Sequence, residues 1–75
     1  MKRLDLHGIR HEEVEVLVYK FLFSNDLPVK VITGKSEPMQ RIVKNIIGES
    51  GMGWHYENAS NFGCIIVTNS PWFNE

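Results

Sequence analysis

A chain of 75 residues has room for one small domain, and 43% hydrophobic residues with 23% charged residues exclude a disordered one. A formal net charge of −1 excludes a uniformly basic nucleic-acid binder. With no secretory-type apolar stretch after Lys2 and Arg3, and no run near the roughly 20 apolar residues of a membrane span, a soluble, cytoplasmic protein that makes no membrane contact is expected.

Residues 2–7 alternate as a short strand. If Leu4 and Leu6 face a core, Asp5 and His7 must point the other way, because side chains alternate along a strand. Gly8 then lets the backbone turn off the strand into a ligand-facing loop. From Glu12 to Asn25 the apolar residues Val14, Leu17, Val18, Phe21 and Leu22 recur at helical spacing, and Glu12, Glu13 and Glu15 suit the positive first turn. Asn25 to Pro28 ends that helix, since the residue before proline is pushed out of helical geometry. Val29 to Thr33 reads as a second strand. Ser36 is placed to cap a second helix that tolerates Pro38 in its first turn. That helix carries Met39, Ile42, Val43, Ile46 and Ile47 on one face and ends at Gly48 or Gly51. Trp54 to Asn58 and Gly63 to Thr68 are two further strands, joined by a polar loop from Ala59 to Phe62. Cys64 is the one cysteine, so an intramolecular disulfide and a cysteine zinc site are both excluded, and a buried thiol is expected.

The fold class expected from this order is α/β, a two-layer α+β sandwich of sequence β-α-β-α-β-β with two helices on one face of a four-stranded mixed sheet. Two right-handed crossovers on one face step across the sheet in the same direction, so the first two strands are neighbours. The fourth strand is apolar on both faces, whereas the third carries His55 and Glu57 on one of them. The fourth is therefore central and antiparallel, the third lies at the edge, and the order is 1-2-4-3. Trp54 and Tyr56 share the other face of that edge strand, where core packing is expected over base stacking. The tail from Asn69 to Glu75 is expected to fold Trp72 and Phe73 over Ile32 or Ile65 on the uncovered sheet face. A monomer or weak dimer is expected.

The charges are unevenly placed. All eight Lys and Arg lie in residues 1–44 against six acids, and residues 45–75 hold only Glu49, Glu57 and Glu75. Such a split allows a phosphate-binding face. Lys35 and the backbone N–H groups of residues 34–37, at the start of the second helix, form an anion cradle that Arg41 and Lys44 extend. Hydrolysis of a phosphodiester needs an activated water, a proton for the leaving oxygen and positive charge over the phosphate. His7 suits either proton role, because an imidazole exchanges a proton near neutrality. Asp5 can orient it or hold a divalent cation. Two other motifs fail: Gly34-Lys35-Ser36 has no P-loop glycine at Val29, and His11-Glu12 lacks the zinc-protease histidine at Glu15.

Leu4-Asp5-Leu6-His7-Gly8, a glutamate-bearing first helix, the Thr33-Gly34-Lys35 turn and a terminal glycine-led apolar strand together resemble the Smr (small MutS-related) domain over nearly the whole chain. The LDLHG signature matches at every position, whereas the second signature, T-G-x-G or H-G-x-G, has Ser36 in place of its last glycine. The resemblance implies a single Smr-like domain over residues 1–75 that binds DNA or RNA. It also implies a nicking or RNA-cleaving endonuclease activity and attachment to a larger or ribosome-linked protein; Mg²⁺ or Mn²⁺ is the cofactor expected for such cleavage. Asp5 and His7 carry over from the first signature as catalytic residues, and Thr33, Gly34 and Lys35 from the second as a phosphate-binding turn; Gly8 and Ser36 are expected to join the phosphate-binding residues, and Asp5 is the candidate metal ligand. The alternative is a non-catalytic module that docks on nucleic acid or protein.

Overall fold

Residues 1–58 and 60–69 are described by the computed structural model. Arg3–Asp5 forms β1, His11–Ser24 α1, Val29–Ile32 β2, Glu37–Glu49 α2, Gly53–Asn58 β3 and Asn61–Thr68 β4. The sheet order is β1-β2-β4-β3, with β2 parallel to β1 and β4 antiparallel to both of its neighbours. The expected two-layer α/β architecture is therefore the one observed.

The core lies between the helices and one face of the sheet. Val14, Val18 and Leu22 of α1 and Met39, Val43, Ile46 and Ile47 of α2 are buried. Leu6, Val29, Val31, Ile65 and Val67 meet them from the strands and the turn after β1. Each such side chain contributes roughly 1.5–3 kcal/mol when fully withdrawn from water. The Tyr19 hydroxyl donates to Glu49 Oε1 at 3.0 Å, linking the outer surfaces of the two helices. Trp54 and Tyr56 of the edge strand pack partly buried against this core, as their shared face predicts.

Helix ends follow their local chemistry. The Ser36 hydroxyl accepts from Met39 N–H at 3.3 Å, and Pro38 sits in the first turn, where a missing N–H costs nothing. Gly51, with φ of 74°, ends α2: its N–H donates to Gly48 O and Met52 N–H donates to Ile47 O. This is a Schellman closure, so Gly51 is the cap and Gly48 is an interior helical residue.

No helix or strand among the described residues covers the other sheet face. Arg3, Lys30, Ile66 and His55 stand side by side across its four strands. Lys30 forms an ion pair with Glu57 that spans the strand between them. Ile65 is fully buried on the helix side and so cannot anchor anything on the open face, which instead carries Ile32, Cys64 and Ile66. Cys64 is half-buried there, not enclosed, and its sulfur accepts from Asn61 Nδ2 at 3.5 Å. The expected buried thiol is corrected by strand parity: the core-facing neighbours of position 64 are Gly63 and Ile65. Trp72 and Phe73 lie outside the described residues.

Candidate functional site

Two turns at the carboxyl ends of adjacent parallel strands form the site, a position where open α/β sheets bind ligands. After β1 the chain reverses through Leu6-His7-Gly8-Ile9, closed by Ile9 N–H donating to Leu6 O at 3.0 Å. Gly8 has φ of 79°, a value that side-chain-bearing residues adopt only at a cost. Leu6 N–H donates to Ile32 O, which fixes this turn against the end of β2.

The second turn is held from the far side by β4. Thr33 N–H and Gly34 N–H both donate to Gly63 O, at 2.8 and 3.1 Å, and the Thr33 hydroxyl lies 3.3 Å from the same oxygen and 2.8 Å from Gly34 O. Thr33 is thus buried as a structural tie. Gly34 adopts φ of 69°, and a Cβ placed on Gly63 would stand 3.2 Å from Gly34 backbone atoms. The close approach of the two glycine backbones shapes the turn. Because Gly34 N–H is bonded to Gly63 O and Met39 N–H to the Ser36 hydroxyl, the expected anion cradle is confined to the N–H groups of Lys35, Ser36 and Glu37, ahead of the first ladder bond of α2, Gln40 N–H to Ser36 O.

The two turns meet around one recess of about 340 Å³, lined by His7, Gly8, His11, Gly34, Lys35 and Ser36 over a floor that includes Leu6 and Met39. None of the described residues lining it is acidic. His11, the first residue of α1, is a contributor that sequence reasoning missed. The available signal was its position, three residues beyond Gly8 at the entry to a helix that must run back over the sheet. Both helices present their N-termini here, and Arg10 at the start of α1 supplies no side-chain cap.

Other expected site residues lie elsewhere. Asp5 does not line the recess: its Oδ1 accepts from His7 N–H at 2.9 Å, so it orders the backbone at His7, and among the described residues no hydrogen bond joins it to the His7 ring. Arg41 and Lys44 border a separate groove with Glu37, Gln40, Asn45 and Tyr56. Lys44 Nζ donates to the Tyr56 hydroxyl at 2.8 Å and lies 4.5 Å and 4.9 Å from the Trp54 and Tyr56 ring centroids. The expected extension of the cradle is therefore a second groove along α2.

The residues at the turns do not fit a resident divalent cation. Asp5 is a single carboxylate with one oxygen engaged by the main chain, and among the described residues no group of three or more His, Cys, Asp and Glu stands together. A larger hollow of about 610 Å³ on the open sheet face includes Arg3, Lys30, His55 and Glu57. Its Lys30 and Glu57 charges neutralise each other, whereas Lys35, the one fixed cation among the described residues lining the smaller recess, shares that recess with no carboxylate and meets Glu37 only in a neighbouring concavity. Among the described residues, no helix is long and apolar enough to cross a membrane. Compared with protein-family models, curated proteins and solved structures, the chain gives no match in any of the three.

Proposed function

We propose that this chain is a Smr-like nucleic-acid-binding domain that seats a backbone phosphate between its two turns. The observation that carries the reading is the convergence of His7, His11 and Lys35 on one recess with no described acidic lining residue. Lys35 supplies a fixed positive charge, and the N–H groups opening α2 supply directed donors. Neither reads a base edge, so affinity through this recess depends on phosphate and strand shape, not on sequence.

Phosphodiester hydrolysis is the activity proposed for the same recess. His7 would transfer a proton to or from the reacting oxygens, and Lys35 would hold negative charge as it builds on the phosphoryl group. Asp5 is a positioning residue in this scheme, acting through the His7 main chain. The second reading, a non-catalytic docking module, is favoured by two specific observations. The Asp5 carboxylate is bonded to backbone and not to the imidazole, and Ser36 serves as a helix cap at the position of the second signature glycine.

Supercoiled plasmid and single-stranded RNA, incubated with purified protein in Mg²⁺, in Mn²⁺ and in chelator, separate the two. Cleavage that disappears in folded His7→Ala and falls in Asp5→Ala supports hydrolysis. Cleavage that persists unchanged in both variants marks a contaminant, and absence of cleavage with retained binding supports docking. In either case Lys35→Ala should weaken binding and reduce the salt dependence by about one phosphate contact. An unaltered salt slope would remove Lys35 from the site.

A further inference from the structure

We infer that Phe62 is a base-stacking platform beside the phosphate recess, which makes single-stranded nucleic acid the substrate class; this rests on the phosphate-seating reading above. Phe62 is a large apolar side chain left 51% exposed at the start of β4. It packs edge-on against Tyr56 at 4.8 Å between ring centroids, and Tyr56 packs edge-on against Trp54 at 5.1 Å. Those two inner rings lean on the core, and Lys44 lies over both of them. The outermost ring of a braced aromatic row thus remains open to solvent.

The row is tied to the cradle. Gln40 Nε2 donates to Phe62 O at 2.6 Å and to Gly34 O at 3.1 Å, so one side-chain amide clamps the aromatic residue to the phosphate turn. Directly after Phe62, Gly63 holds the Thr33-Gly34 backbone through its carbonyl. Lys35, Gln40, Tyr56 and Phe62 share one concavity of about 340 Å³ with Glu37, the one carboxylate there, and Lys35 also borders the recess. Beyond it, Arg41 and Lys44 border the next groove along α2. A strand with a phosphate at Lys35 therefore has a ring beside it for an adjoining base and cations ahead for the next phosphates. Phe23, also an exposed aromatic among the described residues, stacks on Tyr19 near the far end of α1, away from both turns.

This arrangement selects for strandedness. An unpaired base offers its π-face to an aromatic ring whatever its identity, whereas paired and stacked bases conceal theirs. The test measures binding of wild type, Phe62→Leu, Phe62→Trp and Lys35→Ala to single-stranded DNA, single-stranded RNA, duplex DNA and an abasic strand of equal length. Phe62→Leu should lose about 5- to 150-fold on single strands and little on duplex or abasic strands, and Phe62→Trp should retain binding. Wild type should itself prefer the normal strand to the abasic one, a comparison that needs no variant to fold. Normal single-strand affinity in Phe62→Leu with weakened binding in Lys35→Ala would overturn the stacking role and leave the phosphate reading standing. Equal losses on all four ligands, or equal wild-type affinity for normal and abasic strands, would also overturn it. Wild type binding none of the four would overturn both.

Discussion

Gly63 is the residue on which the Thr33-Gly34 turn depends. Its carbonyl accepts from Thr33 and Gly34, and its missing side chain allows Gly34 to lie against it. In Gly63→Ala the added Cβ would sit 3.2 Å from backbone that those hydrogen bonds hold in place. A loss of about 1–3 kcal/mol is expected, the range for overfilling a packed site, together with weaker oligonucleotide binding. Thermal melting and a binding titration check both; a variant with unchanged Tm and affinity would show that the turn yields without cost. The exit of the chain at Gly8 was legible because alternation and a glycine are local signals, but the strand expected over residues 2–7 ends at Asp5, and Leu6 and His7 already belong to the turn. The Gly34–Gly63 contact was not, because it joins residues 29 positions apart through strand pairing. Asp5 followed its expected side of the strand, yet the same two-residue spacing also lets its carboxylate reach the main chain of His7, which removed it from the recess.

The elements illustrate how far one-dimensional reading extends. Apolar periodicity located both helices and all four strands to within a few residues, and the doubly apolar fourth strand revealed its central position. Two points escaped it. Helical phase alone did not show which groove Arg41 and Lys44 would border, since that depends on where β3 passes α2. The end of α2 stayed open between two glycines, because both occur where the apolar stripe stops. The resolved cap yields a paired expectation. Gly48→Ala, at an exposed helical position with open space for a methyl group, should stabilise the protein by about 0.5–1 kcal/mol. Gly51→Ala, at φ of 74°, should destabilise it by about 1–2 kcal/mol. Chemical denaturation of both variants checks the assignment, and opposite signs from these would transfer the capping role to Gly48.

Across the whole molecule, the sheet separates two electrostatic settings. On its open face Lys30 donates to Glu57, and that hydrogen bond holds the Glu57 carboxyl below the ordinary glutamate range. A lowered acid pKa means that the charged form is favoured in the folded state. The contribution is present above the ordinary glutamate range and is lost as pH falls through and below it. Solvent screening keeps it small. Melting curves from pH 7 to pH 3 should accordingly fall less steeply for Glu57→Gln than for wild type; parallel curves would mean that the pair is electrostatically silent. At the carboxyl ends of the strands the recess has a different character, with Lys35 and no carboxylate among its described lining residues, and that polarity underlies the proposed phosphate seat.

The position of β4 has a consequence for when this site can exist. It is the last of the described strands in the chain, yet it lies inside the sheet, between β2 and β3. While the protein is being synthesised, the LDLHG turn and the Thr33-Gly34 turn emerge early, but the oxygen that holds the second of them belongs to residue 63. A nascent chain halted before that point carries both turn sequences without the acceptor that ties the second. The Thr33-Gly34 turn is therefore completed only when the last described strand has entered the middle of the sheet.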